Sequence, residues 1–249
     1  MILTSDQSKE AAEAIRQIDT NAVPYLLAWI RELDPAWKTN LGGTLENLNQ
    51  GLVPGWLRSG DPLCYYAGQA CRVLGPTASS AIPELTRLAN DDTNAQDRRV
   101  IAIEALAHLG QGGFPPLLSL LTNQDRDIAI RAALYIRYQG RNAGPAIPLL
   151  LQCLADSRDE QMAEIAAETL GKLALDANRV VPALSNALHH PGADTRRRTV
   201  NALARFRDDA RIAPAIAMAL SDADGGVREA ANNALRKIAP EALTNAPPE

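Results

Sequence analysis

The sequence predicts an all-α chain: a single α-solenoid of about seven helix pairs. Two sets of landmarks recur along it with one common period. Each repeat unit reads as two amphipathic helices joined by turn residues. The composition supplies the matching core: 46% of the 249 residues are hydrophobic but only 4% are aromatic, so the core is built of Ala, Leu, Ile and Val. Such small aliphatic side chains suit closely packed helices better than a sandwich or a barrel.

The first landmark is a proline just inside an apolar segment. Pro83, Pro116, Pro148, Pro182 and Pro214 follow one another at steps of 33, 32, 34 and 32 residues. Proline belongs in the first turn of a helix, where its missing N–H would have had no intrahelical partner. The second landmark is an Ala-rich segment ending in a small apolar cluster. Ala67, Ala102, Ala132, Ala166, Thr199 and Ala231 mark it at steps of 35, 30, 34, 33 and 32. Two independent series therefore report the same period.

Within each unit the proline segment is helix A. Leu85, Leu88 and Ala89, or Leu149, Leu150 and Leu154, have the i, i+3, i+4 spacing of a buried stripe. The Ala-rich segment is helix B, with Ala102, Ala105, Leu106 and Leu109 at the same spacing. Asp-rich turns separate A from B at Asp91-Asp92, Asp125, Asp156, Asp194, Asp222 and Asp224, where carboxylates cap helix B and face the positive end of its dipole. Gly75, Gly110 and Gly140 follow helix B, where a left-handed residue is needed. The N-terminal part repeats the pattern imperfectly: Pro24 and Pro54 precede Pro83 by steps of 30 and 29. Residues 34–61 hold Pro35, Gly42, Gly43, Gly51 and Gly55, and Trp29, Trp37 and Trp56 fall nearby, where they plug an irregular first repeat or cap the exposed core. The expected organisation is one solenoid over 1–249: irregular repeats and a cap in 1–61, regular repeats in 62–240, and a flexible tail in 241–249.

Charge narrows the partners. Lys and Arg number 25 against 29 Asp and Glu, a net charge of −4, which argues against a general nucleic-acid coat. Cys64, Cys71 and Cys153 are too few and too uneven for a disulfide framework. Cys64 and Cys71, seven residues apart on one helix, lie about 10 Å apart, beyond disulfide reach. The opening Met1-Ile2-Leu3 lacks the basic region of a signal peptide, and no apolar run approaches the roughly 20 residues of a membrane span. The expected location is cytoplasmic, although the abrupt helical start leaves room for a trimmed leader or anchor.

The run Leu74-Gly75-Pro76-Thr77-Ala78-Ser79-Ser80-Ala81-Ile82-Pro83-Glu84-Leu85 resembles the linker and helix A of short bacterial HEAT repeats, of the kind also found in phycobilin lyases. Val227-Arg228-Glu229-Ala230-Ala231-Asn232-Asn233-Ala234-Leu235 resembles their helix B. The likeness is clear over 51–249 and faint over 8–50. It implies a right-handed superhelix with B helices lining the concave side, used as an interaction scaffold. Some relatives are enzymes or enzyme subunits: phycobilin lyases, a di-iron hydroxylase and an alkyl-purine DNA glycosylase. The di-iron members carry His-Glu dipeptides, whereas His108, His189 and His190 are not followed by Glu here, so no metal or other cofactor is expected. His189-His190 reads as a solvated helix end. The glycosylase pattern needs a positive groove; the nearest feature is Arg196-Arg197-Arg198 with Arg205, Arg207 and Arg211, interleaved with Asp194, Asp208 and Asp209.

If Ala102, Ala105, Leu106 and Leu109 face the core, then Val100, Ile103, Glu104 and Ala107 face the concave side. The aligned residues are Tyr65, Gly68, Gln69 and Arg72 before them, then Ile130, Ala133, Leu134 and Arg137, then Glu164, Ala167, Glu168 and Gly171, then Arg197, Val200, Asn201 and Ala204. An apolar stretch of Val100, Ile103, Ile130 and Leu134, rimmed by Tyr65, Gln69, Arg72, Glu104 and Arg137, is the candidate partner site. The alternative is that neighbouring B helices bury these apolar residues. The expected function is a non-catalytic scaffold for another protein. The competing readings are a lyase-like or chaperone-type subunit gripping a client, and nucleic-acid binding through Arg196–Arg211.

Overall fold

The computed structural model describes residues 13–31, 63–94 and 96–240, with the side chains of 63–66 outside that description. The helix A expected at Val53-Pro54, the stretch 34–61 with Trp37 and Trp56, the side chain of Cys64 and the tail 241–249 lie outside the described residues. The backbone gathers into two compact units, residues 1–131 and 132–249.

The first unit contains α1 (Val23–Arg31), α2 (Leu63–Leu74), α3 (Ile82–Asn90), α4 (Gln96–His108), α5 (Phe114–Leu120) and the start of α6 (Arg126–Ile136). The second contains the end of α6, then α7 (Ile147–Ala155), α8 (Glu160–Leu173), α9 (Ala177–Ala187), α10 (Ala193–Leu203), α11 (Ile212–Met218) and α12 (Gly225–Ile238). Residues 79–239 thus hold ten helices alternating A and B; α3 packs on α4, α7 on α8, α9 on α10 and α11 on α12, and no strand occurs among the described residues. This is the all-α repeat architecture the two period series predict. Inside each unit B helices also pack on B helices: α2 on α4 in the first, α8 on α10 and α10 on α12 in the second.

The helix boundaries follow from local chemistry. Prolines sit in the first turns of α3, α5 and α7. Pro182 departs from the pattern: α9 begins three residues before Val180, at Ala177, so this proline lies inside the helix and leaves one ladder bond unmade. Gly75, Gly110 and Gly140 have φ of +57°, +69° and +54°, the left-handed stops expected after helix B. After α8 the same role falls to Ala174 at φ +46°. Of the turn aspartates singled out in the sequence, Asp224 caps α12 by accepting from the Val227 N–H at 3.0 Å, whereas Asp194 lies inside the first turn of α10 and caps nothing; α8 is capped instead by Asp159, which accepts from the Met162 N–H at 3.0 Å.

The stripe residues Leu85, Leu88, Ala102, Ala105, Leu106 and Leu109 are all at most 1% exposed. In the second unit Leu150 and Leu154 are buried while Leu149 is half-buried. Trp29 does not act as a plug: it stands 41% exposed on α1, beside Tyr25 at 68%.

Recurring arginines brace successive pairs. Arg99, buried in α4, donates from Nε to the Ala89 carbonyl at 3.1 Å and from a terminal nitrogen to Asp125 at 2.5 Å. Arg196, in the matching place in α10, donates to the His190 and Pro191 carbonyls at 2.8 and 2.9 Å. It also grips Asp222 with two bonds of 2.8 Å. Each guanidinium therefore ties the end of its own helix A to the turn of the next pair.

Candidate functional site

Helix B presents a repeating set of positions, and burial separates them. Gly68, Ile103, Ala133, Ala167 and Val200 occupy one aligned position; Gly68 is buried and the other four are fully buried. The cause is B-on-B packing. A Cβ placed on Gly171 would come within 2.5 Å of the Ala202 Cα, and one on Gly68 within 2.9 Å of Ile101 Cγ2. A helix B in contact with its own A helix and with neighbouring B helices buries a wider arc than one stripe.

The expected apolar patch is corrected accordingly. Ile103 is fully buried and Ile130 is 5% exposed, so both are core residues with no face left for a partner. Val100 and Leu134 are half-buried. Gln69, Glu104, Leu134, Glu168 and Asn201, one position further on, do retain exposure.

In the first unit this row is polar. Gln69 Nε2 donates to Glu104 Oε1 at 3.2 Å, joining α2 to α4. Arg72 is exposed nearby. Burial holds His108 below the ordinary imidazole range, with Glu104 opposing that shift and Arg72 adding to it. The side chain of Tyr65 lies outside the described residues. Leu134 and Arg137 belong to the second unit.

In the second unit the row becomes a charged groove. Glu168 of α8 receives three cations: Arg137 at 2.8 Å, Lys172 at 3.1 Å and Arg198 at 3.4 Å. Burial pushes its carboxyl up, but the Lys172 hydrogen bond and the charges of Lys172, Arg198 and Arg137 hold it below its ordinary range. The groove has a volume of about 400 Å³ and runs across α8, α10 and α12. Among the described residues its charged lining is Lys172, Arg198, Arg205, Arg207 and Lys237 against one carboxylate, that of Glu168.

The arginine cluster noted in the sequence divides into roles. Arg196 is the buried brace; Arg197 pairs with Asp194 at 2.5 Å; Arg198 pairs with Glu164 at 2.8 Å; Arg211 pairs with Asp209. Arg205 and Arg207 make no ion pair among the described residues, and neither does Lys237. Sequence reasoning missed Lys172 and Lys237, although a signal was present. Lys172, Arg205 and Lys237 are separated by 33 and 32 residues, so one basic position recurs in three consecutive repeats.

The histidines hold no common site. His190 is 7% exposed, buried rather than solvated, and its Nδ1 accepts the Gly192 N–H at 3.1 Å. No group of three or more metal-ligating side chains occurs among the described residues. No described helix is long and apolar enough to cross a membrane.

Comparison with known proteins agrees on the fold. Residues 147–236 match the family model for HEAT repeats. The Escherichia coli protein YibA is similar in structure, with a TM-score of 0.54, 17% identity, and coverage of 84% of this chain and 78% of that one. An engineered protein aligns at a TM-score of 0.46 with 21% identity, over 73% of this chain and 93% of its own. The complex of CpcE and CpcF of phycocyanin lyase from Nostoc sp. PCC7120 aligns at 0.45 with 25% identity, over 76% and 78%. No curated protein matches the chain. The described residues are all-α, and the HEAT-repeat match covers residues 147–236.

Proposed function

We propose that this HEAT-repeat chain is a protein-interaction scaffold, and that its partner sits on the helix B face of α8, α10 and α12. The observation that carries the reading is the open groove across those three helices, whose floor is set by close backbone approach and whose rim holds side chains the fold does not use. Gly171, buried against Ala202, forms the floor. Arg205, Arg207 and Lys237 stand exposed at the rim. A helix B needs its buried arc for packing, so exposed residues at repeating positions are free to serve a partner.

The proposed seat lies later in the chain than Val100, Ile103, Ile130 and Leu134, two of which, Ile103 and Ile130, are core. The test is a groove-filling change that leaves charge alone. Asn201 is exposed on α10 and lines the groove. Immobilised wild-type protein should retain a partner protein that Asn201→Trp releases, with helicity and melting temperature unchanged between the two. Equal retention by both proteins refutes this seat.

A further inference from the structure

The groove also specifies what kind of segment it would take, an inference that rests on the helix B face being the seat. Lys172, Arg205 and Lys237 recur at steps of 33 and 32 residues, one per repeat, and all three line the groove. Lys172 and Lys237 lie in the last turns of α8 and α12, and Arg205 follows the end of α10 by two residues, so the three mark the same end of successive B helices. Packed helix axes lie about 8–10 Å apart, and the contact that Gly171 makes with Ala202 puts α8 and α10 at the close end of that range.

A ligand that answers such a row needs anionic groups at the same interval. A polyproline II chain advances about 3.1 Å per residue with three residues per turn, so every third side chain falls on one face about 9 Å from the last. A β-strand fails this match, because residues three apart point to opposite faces. Carboxylates at i, i+3 and i+6 of a polyproline II segment therefore meet three cations at the C-terminal ends of three consecutive B helices, Lys172 exchanging its pair with Glu168 for the ligand. Asn201 and Asn233, 32 residues apart and both exposed in the groove, each bring a donor and an acceptor for the peptide backbone, which such a segment leaves unpaired.

Two features separate this occupant from a nucleic acid. Among the described residues no aromatic side chain lines the groove to stack a base. The chain carries a net charge of −4, and Glu168 stands among the cations, a poor setting for a continuous phosphate backbone. We propose that the groove binds an acidic polyproline II segment of a partner protein, with a carboxylate at every third residue.

The probe is a fluorescein-labelled peptide Glu-Pro-Pro-Glu-Pro-Pro-Glu, titrated into the full chain at 50 mM salt and followed by anisotropy. A peptide of the same composition with its three glutamates contiguous is the spacing control, and a single-stranded RNA of equal charge is the class control. The spaced peptide should bind at least fivefold more tightly than the contiguous one. Binding should fall at least tenfold in Arg205→Glu/Lys237→Glu, with an unchanged melting temperature. Should that double reversal unfold, Arg205→Gln/Lys237→Gln takes its place, with an expected loss of at least threefold. Equal binding of the two peptides overturns the spacing, and equal binding by the variant overturns the site. An RNA that binds more tightly than the peptide, and is lost with the same variant, overturns the occupant. Partner retention that survives the charge reversal but fails in Asn201→Trp sinks this inference alone and leaves the scaffold reading standing.

Discussion

Replacing Arg196 by Met tests whether the repeats are held in register by the arginine brace. The guanidinium makes four hydrogen bonds, two to Asp222 at 2.8 Å and one each to the His190 and Pro191 carbonyls. The two side chains of the ion pair are 15% and 11% exposed. Breaking a fully buried pair by removing one partner costs about 3–5 kcal/mol. Here Asp222 keeps the Asp224 N–H at 2.8 Å, and the residual exposure lets water reach the carboxylate. The expected loss is therefore about 2–3 kcal/mol. Asp222→Asn, made alone and in combination, should give a coupling energy on the order of 2 kcal/mol in a double-mutant cycle. Arg197→Met is the internal control: its pair with Asp194 is exposed, 44% and 61%, and the change should cost less than about 0.5 kcal/mol. Equilibrium urea unfolding measures all four variants. Because repeats lean on their neighbours, hydrogen exchange in Arg196→Met should quicken mainly in α9 to α12. A loss no larger than that of Arg197→Met would refute the brace.

Other expectations follow from burial, backbone geometry and titration. Ile103→Asp should destabilise by more than about 4 kcal/mol, because it puts an unpaired carboxylate at a fully buried position; a soluble variant with an unchanged thermal melt would restore the residue to the surface. Ala174→Gly should stabilise by about 0.5–1 kcal/mol, since an L side chain pays for φ +46° and glycine does not; an unchanged or lowered melting temperature would contradict that. The Glu84 carboxyl is held down at about 2, first by the hydrogen bond from Arg87 and then by that from Arg31. A depressed acid contributes stability that is present above its unfolded value near 4.5 and is lost as pH falls through about 2. The stability gap between wild type and Glu84→Gln should therefore narrow between pH 4.5 and 2, and a gap that holds constant would exclude the pairing.

The fold was legible in the sequence because repetition multiplies a weak local signal. One proline near a leucine means little, but five at nearly constant spacing fix the period, and the stripe through Ala102, Ala105, Leu106 and Leu109 gives helix B its inner face. The site was less legible, for a geometric reason. Taking everything off that stripe as exposed treats helix B as a surface helix with one neighbour, whereas Gly171 and Gly68 let B helices approach so closely that a second arc is buried. Ile103 falls on that arc. The alanine and glycine residues that permit the approach were visible, but their consequence depends on which helix lies opposite. The cations were misread in a different way. Adjacency drew attention to Arg196-Arg197-Arg198, three neighbours that point in three directions, each with its own carboxylate. Lys172, Arg205 and Lys237 are far apart in sequence and share one face.

Salt should separate the two kinds of arginine in that cluster. Arg196 and Asp222 are mostly shielded from solvent and joined by direct hydrogen bonds, so mobile ions cannot come between them. Lys172, Arg205 and Lys237 are exposed; Lys172 has Glu168 at 3.1 Å and the other two lack carboxylate partners among the described residues, so their field acts through water. At about 0.1 M salt the screening length is about 10 Å, and at 1 M about 3 Å. The first length is comparable to the interval between neighbouring B helices, so at low salt the three cations act on a ligand together; the second leaves each one nearly isolated. Raising sodium chloride from 0.05 to 0.5 M should therefore weaken binding of the spaced acidic peptide at least tenfold while moving the melting temperature by less than about 2 °C. A melting temperature that falls in step with binding would mean that the groove cations support the fold rather than a partner. Binding that resists salt would mean that apolar contact along Gly171, Ala202 and Ala204, not charge, holds the segment in place.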